Sequence, residues 1–204
     1  MDDEWQEVEV KLHTPDLKAV KKSLEVAGAL LAKPRVFERN IRYDRPDGAL
    51  TAAGNVLRLR KDESVKLTYK ADASVERGIV SRFEAEVEVY DFDTMDVILK
   101  RLGYDAALIY EKYRTAYTLD GAEIVLDELP YGTFTEIEGD ETMIELVIEK
   151  LGLGACRRME GSYMDIFGDV KARLGLDARD CTFEAFRGVD MGDSDLFLPP
   201  STPS

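Results

Sequence analysis

Glu7-Val8-Glu9-Val10-Lys11-Leu12, near the start of the chain, decides how the rest is read. With a period of two, Val8, Val10 and Leu12 fall on one face and Glu7, Glu9 and Lys11 on the other, the pattern of a strand with one apolar and one charged side. A single strand of this kind ordinarily turns its charges to water. Four further stretches repeat the arrangement. Asn55-Val56-Leu57-Arg58-Leu59-Arg60 carries Arg58 and Arg60 together, and Val65-Lys66-Leu67-Thr68-Tyr69-Lys70 carries Lys66, Thr68 and Lys70. Phe83-Glu84-Ala85-Glu86-Val87-Glu88-Val89 presents Glu84, Glu86 and Glu88, and Tyr110-Glu111-Lys112-Tyr113-Arg114 presents Lys112 and Arg114. Near the end of the strand set, Thr135-Glu136-Ile137-Glu138 adds another Glu-x-Glu.

Faces that looked at water would mix acids and bases along each strand, because opposite charges across a solvated sheet attract. Here whole strands are acidic or basic. The sorting predicts strands closed round a polar interior, with carboxylates grouped in one part and cations in another. Carboxylates grouped without cations are costly unless they hold a hard metal ion, and Mg²⁺ commonly takes one or two carboxylates plus substrate phosphate oxygens. Grouped Arg and Lys are the partners of phosphate, Arg through a bidentate fork and Lys as a point charge. Together they describe a metal-assisted polyphosphate site.

The ordered series Glu7-x-Glu9-x-Lys11, Arg58-x-Arg60, Lys70, Glu84-x-Glu86, Lys112-x-Arg114, Asp127 and Glu136-x-Glu138 resembles the CYTH superfamily, the triphosphate tunnel metalloenzymes. That superfamily includes class IV adenylyl cyclases, thiamine triphosphatases and inorganic triphosphatases. The likeness covers residues 5–167. It implies an α+β fold in which an eight-stranded, mostly antiparallel barrel with flanking helices forms a tunnel. It also implies that Glu7, Glu9, Glu136 and Glu138 hold a catalytic Mg²⁺ or Mn²⁺, with Glu84 and Glu86 supporting a second ion. Lys11, Arg58, Arg60, Lys70, Lys112 and Arg114 would grip the triphosphate, and Asp127 would be a metal ligand or a positioning carboxylate. Glu7, Glu9, Lys11 and Asp127 are thus the candidate catalytic residues. Lys66 and Glu88 share the parity but lie one step outside the family pattern.

Composition sets the outer bounds. The 204 residues, 45% of them hydrophobic, suffice for one well-buried domain. With 41 acidic and 27 basic residues the net charge is −14, which argues against nonspecific binding to nucleic acid or anionic membrane. The basic residues must then be concentrated locally, and the long-range field would slow an anionic substrate rather than steer it. No run is long enough for a transmembrane helix, and the acidic start lacks the features of a signal peptide, so a cytoplasmic protein is expected. Cys156 and Cys181 read as free thiols, and His13, the single histidine, lies on the Glu9 and Lys11 face.

The chain reads as two repeats. Each begins with Glu-Val-Glu-Val, at Glu7 and at Glu86, passes through a helix ending at Gly28 or Gly103, and reaches an Asp-Gly-Ala turn at Asp47 or Asp120. Two units of four strands give eight, about the number at which a barrel closes round side chains or one small ligand. Thr14-Pro15-Asp16 is read as the start of the first helix, with a hydroxyl cap, and Asp93-Thr94 as the cap of the second. The second helix has Met95, Ile98, Leu99 and Leu102 as its apolar stripe. Thr51 to Gly54 reads as a loop and residues 72–77 as a flexible one. A third helix over residues 140–151 turns Met143, Leu146, Val147 and Leu151 inward, and Ser162-Tyr163 opens a fourth. Residues 1–186 are read as one domain and 187–204 as a disordered tail.

The nucleophile stays open in the sequence. Water attacking a terminal phosphoryl group would make a hydrolase of tripolyphosphate or an organic triphosphate such as thiamine triphosphate. The ribose hydroxyl of ATP attacking the α-phosphorus would make a cyclase. Hydrolysis is preferred because no base-reading motif is recognised. A noncatalytic polyphosphate or nucleotide binder is the third reading. A homodimer is compatible with the sequence but not required by it.

Overall fold

The structure, a computed structural model, describes residues 5–191 and 196. Eight strands close into an antiparallel barrel: β1 (Gln6–His13), β2 (Leu30–Asp44), β3 (Val56–Lys61), β4 (Val65–Glu76), β5 (Ile79–Glu88), β6 (Asp105–Leu119), β7 (Ala122–Leu129) and β8 (Gly132–Glu138). Round the barrel the order is β1-β5-β4-β3-β2-β6-β7-β8. The two expected units are therefore present, and each closes on the other: β1 pairs with both β5 and β8, while β2 pairs with β6 over most of its length.

The helices are α1 (Leu17–Ala27), α2 (Ala49–Ala52), α3 (Phe92–Arg101), α4 (Glu141–Leu151) and α5 (Tyr163–Leu174). The apolar core lies outside the barrel wall rather than within it. Val10, Leu12, Ile124, Leu126 and Ile137, on the outward faces of β1, β7 and β8, pack against Val20 and Leu24 of α1 and Ile144, Val147 and Ile148 of α4. A second cluster gathers Tyr131, Phe134, Tyr163, Phe167 and Val170 between the barrel end and α5. A third sets Leu99 of α3 against Ile41, Tyr43 and Leu59. With the apolar faces turned outward to helices, the opposite faces of the same strands must turn inward, and these are the charged ones.

Several local expectations are corrected. The cap of α1 is Asp16, whose Oδ1 accepts from the backbone N–H groups of Lys18 and Ala19 at 3.1 and 3.0 Å. Thr14 is held instead against β8 through Thr135. Asp91, not Asp93, caps α3, accepting from the Thr94 N–H at 2.8 Å. Of the α3 stripe only Leu99 is buried, and Ile98 and Leu102 are exposed. In α4, Leu146 points outward and Ile144 and Ile148 take its place in the core. The segment Thr51 to Gly54 is in part helical, because the Asp44 carboxylate accepts from the N–H groups of Leu50 and Thr51 and winds the chain into α2.

Residues 72–77 are not a flexible loop. They extend β4 into a hairpin with β5, turned at Arg77 and Gly78, both with positive φ. The packing also runs past the boundary read at Phe186, since Val189, Met191 and Leu196 pack on the second cluster. The other residues of the expected tail, 192–195 and 197–204, lie outside the described residues. No helix among the described residues is long and apolar enough to cross a membrane.

Candidate active site

The register of the barrel places the charged residues on one inward surface. Glu7 of β1 stands opposite Arg82 of β5, Lys11 opposite Glu136 of β8, and Lys70 of β4 opposite Glu84 of β5. Across the remaining wall Arg58 of β3 faces Thr68 of β4, Glu38 of β2 faces Lys112 of β6, and Arg114 faces Asp127 of β7. The enclosed cavity measures about 390 Å³ and brings together Glu7, Glu9, Lys11, Arg58, Arg60, Lys70, Glu84, Glu86, Lys112, Arg114, Glu136 and Glu138. Of the thirteen residues that the resemblance assigns to the site, only Asp127 is absent from the lining.

Nine cations and seven carboxylates line this cavity. They are interleaved, which corrects the expected separation into an acidic and a basic region. Lys70 Nζ reaches Glu7 at 2.8 Å and Glu84 at 2.6 Å, while Arg82 donates to Glu7 at 2.6 Å and to Glu9 at 2.9 Å. Lys11 pairs with Glu136 at 2.9 Å, and Glu86 accepts from Lys66 at 2.6 Å and Thr68 at 2.8 Å. Among the described residues no three carboxylate, imidazole or thiol groups stand together in coordinating geometry.

Asp127 lies behind the wall, with no exposed surface. It accepts from Lys112 and Tyr163, both at 2.9 Å, and from Arg114 through both carboxylate oxygens. Its four hydrogen bonds tie these three side chains to one buried carboxylate. Tyr163, the first residue of α5, carries Lys11 Nζ over its ring at 4.4 Å from the centroid. Ser162 caps α5 in a reciprocal pair with Asp165.

The sequence reading missed Arg82, Glu38 and Tyr110. Arg82 shares the parity of Glu84 and Glu86 and was visible on that ground. Glu38 is 1% exposed and sits among Lys112, Arg114 and Arg60. The phenol of Tyr110 lies 3.4 Å from an Arg58 Nη1 donor. Lys66, weighted below the family residues, lines the cavity, whereas Glu88 does not. His13 is buried against Phe134, away from the lining.

The charge balance sets the proton affinities. Burial raises the Glu38 carboxyl, but Lys112, Arg114, Arg60 and Arg58 override it and hold the group at about 2. Burial and a hydrogen bond shared with Glu7 push Glu84 up to about 7. Burial together with the charges of Glu7, Glu123, Glu9 and Glu84 lifts Glu138 to about 7 as well. Glu7 is held well below the ordinary carboxylate range: burial opposes this, and Lys70, the Glu84 hydrogen bond and Arg82 prevail.

A closed barrel whose inner wall carries fixed charge of both signs defines a protein built to surround a small, highly charged ligand. The chain belongs to the CYTH family: the sequence model of the CYTH domain matches residues 6–152. A protein of Methanocaldococcus jannaschii, provisionally named an adenylate cyclase, is 26% identical over 175 residues, covering 79% of this chain and 98% of the relative. Among solved structures, the PH1819 protein of Pyrococcus horikoshii is 28% identical with a TM-score of 0.62, over 79% of this chain and 97% of that one. A Hippeastrum protein, described as a provisional adenylyl cyclase with a dominant triphosphatase activity, shares the fold. It is 20% identical with a TM-score of 0.62, over 79% of this chain and 95% of that one.

Proposed function

We propose that the chain hydrolyses a triphosphate held in the tunnel, with the assistance of Mg²⁺ or Mn²⁺. The observation that carries this reading is the wall itself, where nine cationic side chains converge on one cavity in a chain of net charge −14. Five of these cations are arginines, whose planar forks match phosphate oxygens in a way that Lys cannot copy.

Carboxylates of the kind a divalent cation takes line the cavity, although among the described residues no three stand together in coordinating geometry. Burial, and after it the neighbouring carboxylates, lets Glu84 and Glu138 retain protons to about 7. Glu7, Glu9 and Glu138 would hold the cation, and when bound it supplies charge neutralisation on the phosphate oxygens. Glu86, facing Arg58, Arg60 and Lys66, and Glu136, facing Lys11 and Arg114, orient those cations.

Arg58, Arg60, Lys70, Lys112 and Arg114 bind the phosphate oxygens and stabilise the charge that builds on the leaving diphosphate. Water attacks the terminal phosphorus, a new P–O bond forms as the bridging P–O bond breaks, and the proton of the water passes to Glu84. A carboxylate with a proton affinity near neutrality suits that role.

The second reading, cyclisation of ATP, is favoured by the name of the Methanocaldococcus jannaschii relative. Product analysis separates the two. The protein is incubated with Mg²⁺ or Mn²⁺ and, separately, ATP, tripolyphosphate and thiamine triphosphate. Orthophosphate without cyclic AMP is expected. Cyclic AMP with pyrophosphate from ATP would replace the hydrolase reading, and tight binding without any product would leave a binding module.

A further inference from the structure

The barrel has one seam that its eight strands do not close. β6 pairs with β7 only from Tyr113 to Leu119, so among the described residues the same edge of β6 before Tyr113 meets no strand of the barrel. Residues 180–183, beyond the part of the chain that the CYTH sequence model matches, fill that seam. Cys181 forms a parallel bridge with Tyr110: its N–H donates to the Ile109 carbonyl and its own carbonyl accepts from the Glu111 N–H, both at 2.9 Å. To either side, Asp180 Oδ1 accepts from the Ile109 N–H at 2.9 Å, and Glu111 Oε2 accepts from the Phe183 N–H at 3.1 Å.

The stretch of β6 held in this way carries two residues of the tunnel. Tyr110 and Lys112 alternate with Ile109 and Glu111, so the added segment grips the backbone on both sides of Tyr110 while the Tyr110 and Lys112 side chains turn into the charged cavity. Lys112 has a second anchor in Asp127, whereas the Tyr110 phenol meets only Arg58. Its place in the wall is therefore set by the course of the backbone. Without residues 180–183 the Ile109 and Glu111 groups would need other partners beside a polar cavity, and the strand would follow them. Cys181, with no exposed surface, packs with Tyr110, Tyr131 and Phe186 in the second cluster, so the segment is part of the wall rather than a loose cover.

We propose that residues 180–183 are a wall segment of the tunnel, and that Asp180 positions Tyr110 and Lys112 for the ligand through the β6 backbone. The inference rests on the triphosphate reading and adds to its machinery a segment outside the matched domain. Dissociation constants for tripolyphosphate, measured by calorimetry without added divalent cation, test it in the intact chain and in Asp180→Ala, Asp180→Asn, Glu111→Ala and Asp16→Ala. Asp180→Asn keeps an oxygen that can accept from Ile109. Asp16→Ala removes a cap of α1 outside the cavity lining and reports what a general loss of stability does to binding. Asp180→Ala and Glu111→Ala are each expected to bind about tenfold more weakly, Asp180→Asn within about twofold of the intact chain, and Asp16→Ala as tightly as the intact chain. Affinities that neither Asp180→Ala nor Glu111→Ala lowers, a loss that Asp16→Ala reproduces, or one that Asp180→Asn does not repair would overturn the inference while leaving the triphosphate reading standing. Failure of the intact chain to bind tripolyphosphate would overturn both.

Discussion

Asp127 shows how much one buried side chain can hold. Replacing it with Ala leaves Lys112, 2% exposed, without its nearest counter-charge. Removal of one partner from a buried ion pair costs about 3–5 kcal/mol, so Asp127→Ala should lower the urea midpoint sharply. Tyr163→Phe removes a single hydrogen bond to that carboxylate, and a loss of about 1 kcal/mol is expected by the same measurement. Arg58→Lys keeps the charge but loses the fork, so KM should rise about tenfold or more with kcat less affected, in steady-state kinetics with the preferred triphosphate. At this scale the sequence was legible where parity repeated: twelve of the thirteen candidate residues meet in one cavity because alternate residues of a strand share a face. Arg82 escaped because it is one cation on an otherwise acidic strand. Asp127 carries the right parity, but whether a side chain lines a cavity or stands behind its neighbours depends on packing that no single strand encodes.

At the scale of the elements, strand identity followed from alternation, and strand length did not. β4 runs to Glu76 although residues 72–77 are polar and exposed, because a hairpin reaching beyond the barrel has no apolar face to bury. Its turn puts a non-glycine residue, Arg77, at φ 53°, which leaves no composition signal. Helix starts were misplaced by two residues for a related reason: Thr14 and Asp93 are acceptable caps, and only the direction in which the chain leaves the preceding strand selects Asp16 and Asp91. Asp16→Ala should accordingly destabilise the protein by about 1 kcal/mol, read from the thermal midpoint, and Thr14 should not rescue the loss.

At the scale of the molecule, the tunnel is a compromise between binding a polyanion and remaining folded. Carboxylates such as Glu38, held at about 2, contribute stability above the ordinary carboxylate range and lose it only in strong acid, as the pH falls through about 2. Glu84 and Glu138 act in the opposite sense. Their folded values near 7 lie above the unfolded value of 4.5, so their contribution is complete below 4.5 and is lost as the pH rises through about 7. Without divalent cation the thermal midpoint should therefore fall between pH 5 and pH 8, and added Mg²⁺ should raise it at pH 8 more than at pH 5. A midpoint that Mg²⁺ leaves unmoved at both values would remove the proposed cation from these carboxylates.

The pairing of β1 with β5 and β8 also has a consequence in time. A ribosome delivers the first strand at once, its neighbour Ile79–Glu88 much later, and the closing strand Gly132–Glu138 later still. Glu7, Glu9 and Lys11 are thus among the first site residues synthesised and among the last to be enclosed. A nascent chain halted before residue 132 carries all of the charged wall except Glu136 and Glu138 but no tunnel, and Lys11 waits for Glu136, its partner at 2.9 Å, until the barrel can close.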